Sequence, residues 1–578
     1  MQTKSGDRGM RDSNRPWLDS YDPEVSPTLT YESIPVFALL DRAAKLFPKR
    51  KAIRFNNYSI TYEELHRQSE VMAANLRAQG LRPGDRISIM MPNLPQTIIS
   101  YWAVLKAGAV AVMTNPLYME KELVHHIHDS GSRMMITLDM LWPKVTQLGD
   151  KISLDKVFVS SIADGLAFPL NQLARLKVWK EGKSKVPYDD DKVLRWSDLL
   201  RGRDRFSYAG IMPKTDLALL QYTGGTTGVS KGCMITHYNL VANAAQCSAI
   251  LHSIGTQQEV FLAVMPFFHI YGLTTCLNFP TALGATTVPF ARFVPQDVLK
   301  TIDKVKPTIF PGAPSVYIAL MQQREFEQTD FKGLRYCISG SAPMPVEVMQ
   351  QFKERTGADI IEGYGLTEAS PVTHLNPLRG KRKSGSIGLP FPDTEARIVD
   401  MEVAGPPLPP GKHGELIMRG PQVMAGYWNR PDETASALRN GWLFTGDIAT
   451  MDEEGYFFIV DRKKDLIISG GYNIYPREID EVLYEHPRIK EAVTVGIPHK
   501  TRGEVVKAYI IPKDGETIDK AEIIAFCKKK LAGYKVPRQV EFRTELPKTL
   551  VGKVLRRALR EEEAQRESRV MEQKGTVE

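Results

Sequence analysis

Apolar positions along the chain follow two rhythms. Arg86-Ile87-Ser88-Ile89-Met90-Met91 reads as a strand, Gln96 to Ala107 carries a helical period, and Ala109-Val110-Ala111-Val112-Met113 reads as a second strand. Strand, helix and strand in succession predict a largely parallel sheet covered by helices. The same rhythm returns from Leu217 to Thr367. Between the two stretches, residues 163–203 are less regular. Leu166, Leu170, Leu173 and Leu176 stand there at helical spacing among Arg175, Lys177, Lys180, Lys183 and Lys185, a pattern shared by a solvated surface helix and a membrane-surface contact. After Asp393 the pattern changes to short alternating strands, with a Pro-rich turn at Pro406 to Gly411 and a hairpin-like Asp452-Glu453-Glu454-Gly455, which predicts a small antiparallel β subdomain. Another shift falls at Asp461-Arg462-Lys463-Lys464-Asp465. Beyond it a helix opened by Pro476, strand-like Ala492 to Val495 and Lys507 to Ile511, and a basic helix Lys520 to Leu531 predict a separate α+β domain.

The expected fold class is therefore α/β: a polar segment 1–30, a large N-terminal domain of βαβ subdomains over 31–461 with its β subdomain at about 393–461, and a smaller α+β C-terminal domain over 462–578. Residues Glu561 to Glu578 are expected to be loosely structured.

Composition narrows the classes. A chain of 578 residues with 43% apolar and 25% charged positions, its 43 Gly and 38 Pro evenly spread, belongs with folded soluble multidomain proteins. The net charge of +8 suits phosphorylated ligands or an anionic membrane surface and falls short of a nucleic-acid binder. Cys233, Cys247, Cys276, Cys337 and Cys527 form no C-x-x-C pair and sit in apolar strings, which predicts core thiols in a reducing compartment, with no structural zinc and no disulfide frame. The N-terminal residues lack an apolar run of the secretory kind, so a cytoplasmic location is expected. Val260 to Ala291 carries no charged side chain and is long enough to span a bilayer. Pro266, Pro280, Pro289, Gly272 and Gly284 cut it into strand- and helix-sized pieces, which predicts a buried core and a ligand pocket instead.

The chemistry concentrates after the apolar run Leu217 to Leu220. Tyr222-Thr223-Gly224-Gly225-Thr226-Thr227-Gly228-Val229-Ser230-Lys231-Gly232 places amides, hydroxyls and an ammonium where all can face phosphate oxygens. It is not a Walker A loop, because Ser230 precedes Lys231 and Gly232-Cys233-Met234-Ile235 reads as a strand rather than a helix. Further motifs follow in order: Met265-Pro266-Phe267-Phe268-His269-Ile270-Tyr271-Gly272, Ser339-Gly340-Ser341-Ala342-Pro343, Glu362-Gly363-Tyr364-Gly365-Leu366-Thr367-Glu368, Thr445-Gly446-Asp447, Asp461 to Asp465, Gly470-Gly471-Tyr472-Asn473-Ile474-Tyr475-Pro476, and Pro547-Lys548-Thr549-Leu550-Val551-Gly552-Lys553.

Taken together, these motifs resemble the adenylate-forming superfamily of acyl- and aryl-CoA synthetases, luciferases and peptide-synthetase adenylation domains, over about Tyr31 to Arg560 and nearest to bacterial long-chain fatty acid CoA ligases. The resemblance implies a reaction in which a carboxylic acid and ATP give an acyl-adenylate and pyrophosphate, after which the acyl group passes to coenzyme A. It implies that Thr223 and Glu368 hold Mg²⁺, that Lys231 with Thr226, Thr227 and the loop amides holds the β- and γ-phosphates, and that Lys553 bridges the acid and the α-phosphate. The segments containing Glu362 and Thr367 fall with the nucleotide. Asp447 has the chemistry to accept both ribose hydroxyls, Arg462 can add a donor, and Tyr364 offers a ring face to adenine beside Gly340, Ser341, Ala342 and Pro343. His269 stands where the family orients the acid, Gly470 and Gly471 where it lines the approach of the CoA thiol, and Lys464 where it hinges a mobile C-terminal domain.

Substrate class is read from an absence. Pro266 to Phe279 contains no carboxylate to pair an amino-acid substrate, so an uncharged acyl tail fits, with Phe267, Phe268, Leu273, Gly312, Ala313, Pro314 and Tyr317 as candidates for either a tunnel wall or ordinary core. Where some long-chain members carry a tryptophan gate, this chain has Leu273. The expectation is a medium- to long-chain fatty acid CoA ligase using ATP, Mg²⁺ and coenzyme A. Peripheral contact with an anionic membrane and a homodimer stay open, and no nucleic-acid partner is expected. The rivals are an aryl- or short-chain-acyl CoA ligase, and a non-catalytic acyl-binding or membrane-associated protein that keeps the fold.

Overall fold

A computed structural model describes the chain except residues 1–14, 182–185, 203–207, 209, 224–229, 254–257, 404, 471, 500, 550–553 and 576–578, together with the side chains of 177–181 and 567–575. Contacts divide it into two compact units, Met1–Glu395 with Arg419–Leu443, and Ala396–Met418 with Phe444–Glu578.

The first unit holds two large mixed sheets. In one, the strands Leu217–Thr223, Val110–Met113, Arg86–Met90, Met134–Leu138, Lys156–Ser160 and Val193–Arg195 run parallel in that spatial order, and Lys231–Thr236 and Gly426–Tyr427 extend the Leu217 edge antiparallel. In the other, Thr286–Pro289, Val260–Ala263, Ile309–Gly312, Tyr336–Ser339 and Ile360–Gly365 are successive parallel neighbours, and Val372–Leu375 returns antiparallel. The βαβ rhythm is thus present, with strand ends within a residue or two of expectation. The helix Pro95–Lys106 is buried at every position, which is why its sequence shows apolar content without a clean polar face.

Within Val260 to Ala291 the strand Val260–Ala263, the short helices Ile270–Leu273 and Phe279–Ala282 joined by the π-turn Thr274–Asn278, and the strand Thr286–Pro289 replace a single long helix. Gly272 is required there, since a Cβ at that position would lie 2.3 Å from the Pro266 carbonyl oxygen. Among the described residues no helix is long and apolar enough to cross a membrane. All five cysteines are free and buried.

In the second unit, the part of the strand Trp442–Met451 from Phe444 onward pairs antiparallel with Phe457–Arg462, turning through Asp452 to Gly455, where Asp452 Oδ1 accepts from the backbone of Glu454 and Tyr456. Further along, Ile489–His499 and Gly503–Pro512 form a long antiparallel pair, joined by Ile467–Ser469 with Tyr472–Ile474 and by the parallel strand Gln539–Phe542. Alternation fills both faces: Val506, Ala508 and Ile510 meet Ile479, Leu483 and Ile523 on one, and Val505, Tyr509 and Ile511 meet Leu546 and Leu559 on the other. The loose tail expected from Glu561 is instead helix, Arg556–Gly575. Its polarity hides strong helix formers with charge pairs at helical spacing, and Tyr509 Oη donates to Glu563 at 2.8 Å, so contacts to the sheet hold what the sequence pattern left unanchored.

Candidate active site

Parallel sheets bind ligands at the carboxyl ends of their strands, where loops leave the sheet. Register pairs Gly312 with Ser339 and Ser339 with Glu362, so Ala313-Pro314 and Gly340 to Pro343 leave one edge beside the strand end Gly363 to Gly365 and the following Leu366-Thr367. Two motifs of the sequence and the acyl-pocket candidates Ala313 and Pro314 therefore converge. Ser341 takes a left-handed φ of 72°, backbone strain of the kind that clusters at ligand-binding loops. Glu362, almost fully buried, accepts from the Met344 amide at 3.2 Å and ties the Gly340 loop to the next strand. Tyr364 meets His374 edge to face at 5.9 Å; burial holds the His374 imidazole neutral, its pKa lowered to about 3. At Gly365 a Cβ would lie 2.2 Å from the Pro371 carbonyl, so only glycine lets the strand turn back there.

The histidine loop leaves the neighbouring strand Val260–Ala263. Asn93 braces it, donating to the carbonyls of Ala263 and Met265 at 3.0 and 2.8 Å and accepting from the Phe267 amide at 2.8 Å, while Gln221 donates to the Phe268 carbonyl at 2.6 Å. His269 caps the short helix Ile270–Leu273, its Nδ1 accepting from the Tyr271 amide at 3.3 Å, which puts the ring proton on Nε2. Of the acyl-pocket candidates, Phe267, Leu273, Gly312, Ala313, Pro314 and Tyr317 are buried and Phe268 is partly exposed. Tyr317 Oη donates to the Phe310 and Ile338 carbonyls, and its ring packs on Phe310 and Phe352, giving it a core role whatever else it lines.

The phosphate loop is framed by its two ends. Thr223 and Lys231 are cross-strand partners in an antiparallel pair, and Ser230 Oγ donates to the Thr223 carbonyl at 2.6 Å. Thr226 and Thr227 lie outside the described residues, as do Gly471 and Lys553. Glu368 lies on the 3₁₀ turn Thr367–Ala369, packed against the strand Lys231–Thr236. Its carbonyl accepts from the Met424 amide at 2.8 Å, and its Oε1 accepts from Tyr427 Oη at 2.7 Å. Lys231 Nζ stands 5.1 Å from the centre of the same tyrosine ring. Tyr427 thus joins the lysine and the glutamate, a residue that sequence reasoning did not single out. Burial, with Glu368 adding to it, raises the phenol's pKa, so it stays protonated and acts as donor. Its only sequence signal is Gly426-Tyr427, a two-residue strand that pairs with Met234 and Cys233 far back along the chain.

In the second unit Asp447 and Arg462 are cross-strand partners, with Arg462 Nε 3.3 Å from Asp447 Oδ1. Thr445 Oγ1 accepts from the Asp447 amide, and Glu415 Oε1 from the Gly446 amide, which fixes the turn. Gly470 takes a left-handed φ of 59° and donates its amide to the Arg502 carbonyl at 2.9 Å.

Among the described residues no group of three or more His, Cys, Asp or Glu side chains could hold a metal by itself. Thr223 and Glu368 nonetheless offer hard oxygen donors, the kind Mg²⁺ takes when phosphates and water supply the rest of its shell.

A family described as AMP-binding enzyme matches residues 40–428, and the AMP-binding enzyme C-terminal domain matches residues 478–553. The long-chain-fatty-acid–CoA ligase of Bacillus subtilis is 46% identical over 558 residues, 96% of this chain and 99% of the relative. The structure of MatB from Rhodopseudomonas palustris with ATP bound superposes with a TM-score of 0.80 at 29% identity, covering 91% of this chain and 99% of that one. The o-succinylbenzoate CoA synthetase of Bacillus subtilis in complex with ATP and magnesium gives a TM-score of 0.75 at 28% identity, over 90% and 98% of the two chains.

Proposed function

Because the chain belongs to the AMP-binding enzyme family, carrying both its main and its C-terminal domain, we propose that it is an ATP-dependent acid–thiol ligase that joins medium- to long-chain fatty acids to coenzyme A. In the first step a carboxylate oxygen attacks the α-phosphorus and the bond to pyrophosphate breaks. In the second the CoA sulfur attacks the acyl carbon, the thiol proton leaves and AMP departs. Two anions must meet in the first step, so the work is charge neutralisation and alignment. Lys231 and the loop hydroxyls serve the β- and γ-phosphates, Lys553 the acid and α-phosphate, and His269 orients the acid through its Nε2 proton. Thr223 and Glu368 would hold Mg²⁺, which supplies positive charge against the phosphates when bound. Tyr364 and the Gly340 to Pro343 loop serve adenine, Asp447 and Arg462 the ribose, and Gly470 with Gly471 the thiol.

The observation that supports the choice of acid is the segment around His269: Phe267 and Ile270 to Phe279 are buried and carry no charged side chain, so a substrate ammonium or second carboxylate would go unpaired there. CoA-dependent AMP formation across saturated acids of increasing length is expected to rise from short to medium and long chains. Preference for benzoates or acetate would favour the aryl or short-chain reading, and absence of acid-dependent pyrophosphate release the non-catalytic one.

The reading includes a cytoplasmic enzyme with peripheral membrane contact. The helix Leu170–Glu181 turns Asn171 and Ala174 inward and leaves Leu170, Leu173 and Leu176 outward beside Phe168, which is 78% exposed. Such an apolar face, with Lys177, Lys180, Lys183 and Lys185 following in the sequence and Arg175 on the opposite side of the helix beside Asp164 at 3.5 Å, suits an anionic bilayer that also holds the substrate. Replacing Leu173 and Leu176 by serine and neutralising the cations is expected to weaken sedimentation with phosphatidylglycerol vesicles, each charge contributing about 1 kcal/mol, while turnover of soluble acid survives. Undiminished vesicle binding would leave a solvated surface helix.

A further inference from the structure

Residue 464 lies between two sets of bonds within the second unit. On its amino-terminal side Asp461, its side chain only 1% exposed, accepts from the amides of Arg462 at 2.7 Å and Arg477 at 2.8 Å, and the Ile459 carbonyl accepts from Arg477 Nη1 at 2.6 Å. On its carboxyl-terminal side Arg556 donates to Asp480 at 2.5 Å and to the Thr494 carbonyl at 3.1 Å, and stands 3.8 Å from Asp465. Arg556 also reaches back across the segment to Asp461, at 3.9 Å. Arg560 donates to the carbonyls of Lys464 and Asp465 at 3.0 and 3.1 Å.

We infer that Asp461, gripped by Arg477 and Arg556, is a latch that holds the chain beyond residue 464 in the orientation seen here and so positions it for one of the two half-reactions. The inference rests on reading residue 464 as the hinge of the ligase. A rotation there leaves Arg556 with Asp480, Asp465 and Thr494, because all of them lie on the moving side. It must part Asp461 and Ile459 from Arg477 and Arg556. The separation has a definite cost, since the buried Asp461 carboxylate keeps the Arg462 amide but gives up the Arg477 amide and its ion pair with Arg556. It is also reversible, because three carboxylates crowd one buried guanidinium and Arg556 keeps two of them after the latch opens. The crowding and burial are visible in Asp480, whose carboxyl is pushed up to about 7 by desolvation, and in Asp461, raised above its ordinary value for the same reason.

The test uses the full-length protein with Asp461→Asn, with Arg477→Met, which deletes the side-chain donor to the Ile459 carbonyl and leaves the backbone amide on Asp461, and with Arg477→Lys, which keeps a side-chain donor for that carbonyl. Three rates are read: acid-dependent pyrophosphate release, thioester formation from preformed acyl-adenylate, and trypsin cleavage after Lys463 and Lys464, identified by fragment mass. Asp461→Asn and Arg477→Met are expected to shift the ratio of the two half-reactions by about tenfold and to speed cleavage at the hinge several-fold, with Arg477→Lys close to the parent. Equal loss in both half-reactions, or a cleavage rate unchanged from the parent, overturns the latch. Cleavage needs no catalysis, so its failure is separate from failure of the ligase reading, which would appear as no thioester formed by the parent protein.

Discussion

Replacing Glu368 by glutamine is expected to lower acid-dependent pyrophosphate release roughly a hundredfold, about 3 kcal/mol of transition-state stabilisation, the usual cost of removing one well-placed electrostatic partner. The substitution keeps shape and removes charge. Glu368 is fixed by its own backbone bond to Met424 and by the Tyr427 hydroxyl, so glutamine can occupy the same place while offering a poorer oxygen to a hard cation. Tyr427→Phe separates the two contributions, because it deletes only the hydrogen bond that aims the carboxylate. Its expected loss is about tenfold, the size of one hydrogen bond to a charged group. Pyrophosphate release measured against Mg²⁺ concentration decides both. Unchanged release by Glu368→Gln at saturating Mg²⁺ would remove this residue from the phosphate site.

Tyr427 also marks where sequence reading stops. The motifs around Thr223, His269, Gly340, Glu362 and Glu368 are legible because each joins special backbone chemistry to reactive side chains within a few residues. The convergence of the Gly340 and Glu362 motifs follows from the register of parallel strands, which alternating apolar runs announce. Tyr427 reaches the site through a two-residue strand whose partner lies far away in sequence, and no local period can encode that pairing. The same limit explains Asn93 and Gln221, polar residues inside apolar stretches whose bonds are made to a loop on the other sheet. It explains the final helix too: Arg556 to Gly575 has helix-forming residues but little apolar face, and its order comes from contacts such as Glu563 to Tyr509 and Lys507. Conversely, the uncharged run Val260 to Ala291 was legible as core because its prolines and glycines forbid one long helix.

The proposed hinge at Lys464 yields the second large effect, and it has opposite signs in two variants. Lys464→Pro is expected to retain acid-dependent pyrophosphate release and lose thioester formation from preformed acyl-adenylate, whereas Lys553→Ala should do the reverse. Proline fixes φ near roughly −65° and restricts the residue before it, here Lys463, so the segment can no longer absorb a change of direction. The neighbouring bonds suit a pivot at this point. Lys463 is tied by its amide to the Gly446 carbonyl and by its ammonium to Glu415, while the Lys464 carbonyl is held by Arg560. The chain is thus anchored to one side just before residue 464 and to the other at and just after it, which suits the proposed pivot at a single residue. Lys553 acts differently: its proposed role is to bridge acid and α-phosphate, so alanine removes a cation needed only while two anions approach. Loss of that positioned charge is expected to cost adenylation about a hundredfold and to spare a step that begins from the finished adenylate. Measuring both half-reactions in both variants separates positioning from chemistry, and equal losses in the two steps for each variant would sink the assignment of residue 464 as the pivot.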